Sequence, residues 1–156
     1  MKIDACLQQL KTTEHFLQNT LSCFAEKDSK FAPEEEMFTV AQHVAHVARV
    51  VDWFMAGMFD PKGFDMDFEK QTQETKKTKL LKIAKAQLAK SMENARNVLS
   101  EKTEKDLSKP LPEGPIMGNE PRYSIIGAIA DHTAHHRGSL AVYARLLGKV
   151  PKMPYE

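Results

Sequence analysis

Apolar residues recur at helical spacing in four long stretches of the chain. Ile3, Leu7, Leu10, Leu17, Leu21 and Phe24 are separated by threes, fours and one skipped turn. That spacing predicts an amphipathic helix over residues 3–26, ended by the polar run Lys27 to Lys30. Pro33 followed by Glu34, Glu35 and Glu36 reads as the start of a second helix, because proline fits a first turn and carboxylates suit the positive helix end. Its stripe is Met37, Val40, Val44, Val47, Val51, Phe54 and Met58, giving residues 34–59, with Asp60, Pro61 and Gly63 as breakers. Residues 61–73 read as a loop in which the alternation of Phe64, Met66 and Phe68 suggests a short extended piece tucked against the helices.

Leu81, Ala84, Leu88, Met92, Ala95 and Leu99 form a narrow seam and predict a third helix over 74–101. The charge run Lys76, Lys77, Lys79 reads as a solvated face. A loop over 103–121 carries Pro110, Pro112, Gly114, Pro115, Gly118 and Pro121, and loops of that length often carry function. A fourth helix over 122–147 stops at Gly148, with Pro151 and Pro154 beyond. Four long helices with no strand-like region imply an all-α four-helix bundle, with long loops before the third and fourth helices.

Length and composition narrow the partners. The 156 residues suit a single domain, 1–156. Lys and Arg total 22 against 21 Asp and Glu, and this near balance argues against nucleic acid as a partner. No apolar run reaches the roughly 18 residues of a membrane span. Met1-Lys2-Ile3-Asp4-Ala5 lacks an apolar signal core, so a cytoplasmic protein is expected. Cys6 and Cys23 lie outside any C-x-x-C pattern and read as reduced thiols.

The candidate chemistry is in the histidines. Three of the six fall within Asp131-His132-Thr133-Ala134-His135-His136-Arg137-Gly138. At about 100° per residue, His132 and His136 share a side with Ile125, Ile129, Leu140, Tyr143 and Leu147. Two imidazoles one turn apart in an apolar stripe suit two ligands on one metal. The bland alternative is a pair of buried histidines satisfied by ordinary hydrogen bonds or lining a wet cleft. On the second helix His43 lies within the apolar arc and His46 toward its edge, and either is placed to add a third nitrogen. Three neutral nitrogens bind Zn²⁺, Ni²⁺ or Fe²⁺ and leave positions open. His135 falls to one flank, as a lining residue, and His15 reads as a surface residue. No general base is evident: Asp131 points about 100° away from His132, and Glu120 lies in the long loop, from which it would have to swing over the site.

His46 with Trp53 seven residues on, His132-x-x-x-His136-Arg137-Gly138, then Tyr143-x-Arg145-Leu146-Leu147-Gly148 and Pro151 resemble the DinB superfamily. These are small, DNA-damage-inducible four-helix bundles, and the resemblance spans nearly the whole chain. It implies a divalent metal held by His46, His132 and His136. Here it differs from the helical wheel, which puts His43 nearer the stripe centre; the resemblance is followed, with His43, Trp53, His135 and Tyr143 as residues around the site. Ser139 departs from the Gln that many relatives carry after Arg-Gly. Arg137 reads as a structural ion-pair partner, Gly138 as an aid to close helix packing, Trp53 as core or cavity wall, and Tyr143 as a core tyrosine with a bonded hydroxyl.

The resemblance implies two reaction classes for a small-molecule substrate. One is transfer to a low-molecular-weight thiol, and the other is hydrolysis by activated water. The lack of an evident base fits the thiol slightly better. The alternative class is a non-catalytic bundle that binds or senses a metal or small ligand. A homodimer is also expected from the resemblance.

Overall fold

The structure, a computed structural model, describes Lys2 to Glu156. Six α-helices follow in order: α1 (Ile3–Leu21), α2 (Val40–Gly57), α3 (Phe68–Lys76), α4 (Leu81–Ser100), α5 (Glu104–Ser108) and α6 (Ser124–Leu146). The four long helices α1, α2, α4 and α6 make the bundle, and no strand is present among the described residues. α2 packs on α4 and α6, and α1 packs on the same two. The consecutive long helices α1 and α2 are therefore at opposite corners, and the segment 22–39 crosses one end of the bundle.

Each helix boundary that differs from the sequence expectation has a physical reason. α1 stops at Leu21 rather than 26, and a 3₁₀ turn follows at Glu26–Asp28. Asp28 is buried, accepts the Ala25 N–H at 2.7 Å, and pairs with Lys149 from the tail. Lys149 also donates to the Cys23 carbonyl at 3.0 Å. This clamp bends the chain and carries Phe24 into the core.

α2 starts at Val40, not at 34. Thr39 Oγ1 accepts the Gln42 N–H at 3.2 Å, and Gln42 Oε1 accepts the Thr39 N–H at 3.0 Å. Such a reciprocal cap stabilises a helix start by about 1 kcal/mol and here outweighs Pro33 and the three glutamates, which form turns. α4 starts at Leu81 rather than 74, because its caps come from elsewhere in the chain. Its Leu81 N–H donates to Ser29 Oγ at 2.8 Å and its Lys82 N–H to Glu26 Oε2 at 2.8 Å. The acidic partner also suits the positive end of the helix.

Both long connections carry a short helix. α3 follows Asp67, whose side chain accepts the Lys70 N–H at 3.0 Å. Phe64 packs on the core as the alternating pattern suggests, while Phe68 opens α3 and is exposed. A Cβ on Gly57 would meet the Phe64 ring at 2.1 Å, so this close approach requires glycine. α5 is capped by Thr103 and Asp106, and Pro110 bridges to Pro121 beyond it. α6 ends at Leu146, and Gly148 just beyond its cap takes a left-handed conformation, φ +72°. The core is filled by Leu10, Leu17, Val44, Val47, Leu88, Met92, Leu99, Ile125, Ile129 and Leu140. Cys6 and Cys23 are not joined in a disulfide.

Candidate metal centre

α2 and α6 pack side by side, and their facing surfaces bring four imidazoles together. On α6 the buried stripe runs through Ile125, Ile129, Leu140 and Tyr143. His132 and His136 occupy the turn between, where the stripe is only half-buried. Their Nε2 atoms are 3.1 Å apart, and His132 Nε2 is 3.2 Å from His46 Nε2 on α2. One donor nitrogen from each of these three histidines lies within 4.8 Å of the other two.

The donor set fits a divalent cation. Two nitrogens each about 2.0–2.1 Å from a tetrahedral ion lie roughly 3.3 Å apart, close to the spacing present. Burial, and then the neighbouring imidazoles, push the pKa of His132 down to about 4 and that of His136 down to about 2. Burial, followed by His135, also lowers that of His46. All three are therefore neutral at neutral pH and offer lone pairs, the state that metal ligation needs. No carboxylate or thiolate joins the group among the described residues.

His43 lies deeper, at 7% exposure. Its Nδ1 is 3.1 Å from His136 Nδ1, and its Nε2 is 3.1 Å from the Tyr143 hydroxyl. Tyr143 in turn donates to the Phe38 carbonyl at 2.9 Å. The stripe centre to which the helical wheel assigns His43 is thus a position behind the three-nitrogen group, whereas the edge position of His46 faces into it. Burial first, then His46 and His135, lower the His43 pKa to about 4. The Phe38 ring covers both α2 histidines, with centroids 5.9 Å from His43 and 5.3 Å from His46.

The remaining candidates are distributed around this group. His135 is exposed, its ring 5.0 Å from that of His136 and perpendicular to it, at the rim. Trp53 packs with Phe54, Phe64 and Phe68 and donates to the Asp65 carbonyl at 2.6 Å, outside the imidazole network. Ser139 donates to the His135 carbonyl of its own helix. His15 is exposed and bonds the Glu156 carbonyl. Asp131 and Glu120 are exposed.

Two expectations are corrected. Arg137 forms no ion pair among the described residues; its guanidinium sits over the Phe16 ring at 5.9 Å. There it lines a cavity of about 570 Å³ between α1 and α6. Gly138 is not needed for packing, since a Cβ there would meet nothing within 4 Å. Sequence reasoning missed Phe38, whose backbone oxygen and ring both serve the site. The Thr39-x-x-Gln42 cap was the available signal, because it fixes where α2 begins and hence where Phe38 stands.

Comparison with known proteins agrees with this architecture. The structure of YfiT from Bacillus subtilis, described as a probable metal-dependent hydrolase with an unusual four-helix bundle topology, superposes with a TM-score of 0.72. It is 16% identical, over 94% of this chain and 88% of that one. No functionally curated protein matches the chain. No helix among the described residues is long and apolar enough to cross a membrane. The DinB superfamily profile matches residues 9–140, and the chain belongs to that superfamily.

Proposed function

We propose that the chain is a divalent-metal-dependent enzyme acting on a small molecule, with His46, His132 and His136 as the metal ligands. The observation that carries this reading is the contact of three neutral Nε2 atoms from two helices, 3.1 and 3.2 Å apart. Zn²⁺, Ni²⁺ and Fe²⁺ all accept such a set. A cation bound there supplies Lewis acidity, which lowers the pKa of a coordinated thiol or water and makes it a nucleophile.

The chain's own residues bear on which nucleophile is used. The titratable groups that perturb the four imidazoles are other imidazoles, with no carboxylate among them. Water usually needs a base to take its proton, whereas a low-molecular-weight thiol is far more acidic from the start. That contrast favours thiol-dependent S-transfer. The description of YfiT as a hydrolase favours the second reading, metal-dependent hydrolysis. Cytoplasmic residence and a homodimer belong to the same proposal.

Metal content of the purified protein tests it. Near-stoichiometric metal, lost in the His132→Ala/His136→Ala double variant with helicity retained, is the expected result. A parent protein that stays empty after incubation with Zn²⁺ and Ni²⁺ would sink the metal reading. Turnover is then sought with bacillithiol, mycothiol and glutathione against ester and amide substrates, each with and without thiol. Thiol-dependent turnover identifies transfer, and thiol-independent turnover identifies hydrolysis.

A further inference from the structure

The proposed site depends on which nitrogen of His136 carries its proton. An imidazole protonated on Nε2 would point an N–H, not a lone pair, at His132. We propose that Tyr143 and His43 are positioning residues: anchored on the Phe38 carbonyl, they hold the His136 proton on Nδ1 and so leave Nε2 bare toward His132 and His46. This inference rests on the metal-site reading above and deepens it.

The assignment follows from counting protons along the contacts. The Phe38 carbonyl can only accept, so Tyr143 O–H donates to it at 2.9 Å. With its single hydrogen committed, the Tyr143 oxygen can only accept, and the group 3.1 Å away is His43 Nε2. His43 therefore carries its proton on Nε2. It is buried and has no anionic partner among the described residues, so it carries one proton and its Nδ1 is a lone pair. Among the described residues the group facing that lone pair is His136 Nδ1, 3.1 Å away, which must donate. His136 is half-buried beside four other imidazoles and is likewise neutral, so its Nε2 is unprotonated.

Reversing the chain shows what the anchor does. If Tyr143 donated to His43 instead, the Phe38 carbonyl would lose its partner. His43 would then carry its proton on Nδ1 and donate to His136, and the His136 proton would move to Nε2. One backbone carbonyl thus selects between a ligand nitrogen and a blocked one. Partners that fix the tautomer of a ligating histidine typically contribute 10–100-fold to metal affinity.

The test uses ring-¹⁵N-histidine NMR on the full-length protein before metal is added, together with Zn²⁺ affinity by competition with a chromophoric chelator. In the parent, His136 is expected as the Nδ1–H tautomer. Tyr143→Phe removes only the hydroxyl; it is expected to shift His136 toward Nε2–H and to weaken Zn²⁺ about 10–100-fold. His43→Leu should weaken Zn²⁺ to the same degree. His43→Gln should restore most of the affinity, since its amide oxygen accepts from Nδ1–H while its amide N–H donates to Tyr143. A packing role alone would make Gln no better than Leu, and that result overturns the proposal. So does an Nε2–H tautomer of His136 in the parent, or a Tyr143→Phe variant with unchanged tautomer and affinity. If the parent binds no Zn²⁺, the metal reading fails, and the His136 tautomer in the parent and in Tyr143→Phe decides this inference by itself.

Discussion

Two of the polar groups in this bundle are built on opposite plans. Between α2 and α6, four imidazoles and one phenol contact one another with no charge of opposite sign among them. At the crossing of segment 22–39 with the tail, Asp28 meets Lys149, the Ala25 N–H caps the carboxylate, and Ser29 and Glu26 of the same turn cap α4. In the second group each donor has an acceptor, and the arrangement is complete without a ligand. In the first, three imidazole nitrogens converge with no charged partner among the described residues. Paired polar groups hold a fold together, whereas converging imidazoles in a half-buried setting are what the proposed cation would complete.

The contrast predicts that substitutions in the two groups separate cleanly. The largest effect is expected at His46. His46→Ala should weaken Zn²⁺ by more than about 100-fold, beyond the roughly 10–100-fold that loss of an outer hydrogen-bond partner costs. The urea midpoint should hardly move, since the removed ring is half-buried and lies against other imidazoles. His43→Ala should fall in the smaller range. Equal losses at the two positions, measured by chelator competition, would mean that four histidines ligate and would erase the distinction drawn between them.

The opposite pattern is expected for the clamp. Asp28→Ala leaves the Lys149 ammonium without its partner in a largely buried position, a loss of about 3 kcal/mol. The double variant Asp28→Ala/Lys149→Met should recover much of that loss, because no buried charge remains. Zn²⁺ affinity should be unchanged in both. A clamp variant that loses metal would show that the two groups are coupled through segment 22–39.

The two groups also respond to acid in separate windows. Burial and neighbouring imidazoles depress the pKa of His43 and His132 to about 4, below the roughly 6.5 of an unfolded histidine. The unfolded chain therefore takes up these protons first. Their contribution to stability is complete above about pH 6.5 and is lost as pH falls toward 4. For Asp28, burial alone would raise the carboxyl pKa, but Lys149 and the Ala25 N–H overcome it and hold it low. Its contribution is present above the ordinary carboxylate pKa of roughly 3.9 and disappears only below that. Urea midpoints of chelator-treated protein should thus fall in two stages, and His132→Leu should reduce the first stage alone.

How far the sequence reveals each group follows from the range of its contacts. His132 and His136 are one turn apart, so helical periodicity alone puts them side by side. The step from His43 to His46 is different. A wheel measures depth in the apolar arc, but a ligand must face an opening, and the α6 surface that creates the opening is about ninety residues away. The resemblance to the DinB superfamily, not periodicity, was what pointed to His46. Tyr143 was legible as a buried tyrosine, yet its carbonyl partner depends on where α2 begins. Asp28 with Lys149, and the caps that Ser29 and Glu26 place on α4, were not legible, because nothing local marks partners more than fifty residues apart.

The smallest expected effect probes the junction between the two groups. Thr39 and Gln42 cap α2, and Gln42 Nε2 also donates to the Lys76 carbonyl at the end of α3. Phe38, one residue before the cap, offers its carbonyl to Tyr143 and its ring to His43 and His46. Thr39→Ala removes one acceptor for a helix N–H and should cost about 1 kcal/mol. The Val40 N–H to Phe31 carbonyl bond, 2.9 Å, still holds the chain beside Phe38. Metal affinity should therefore stay at the parental value while the urea midpoint falls. If Thr39→Ala instead weakens Zn²⁺ as much as Tyr143→Phe does, the carbonyl is held by the cap rather than by the segment before it. The helix start would then belong to the histidine group and not to the scaffold.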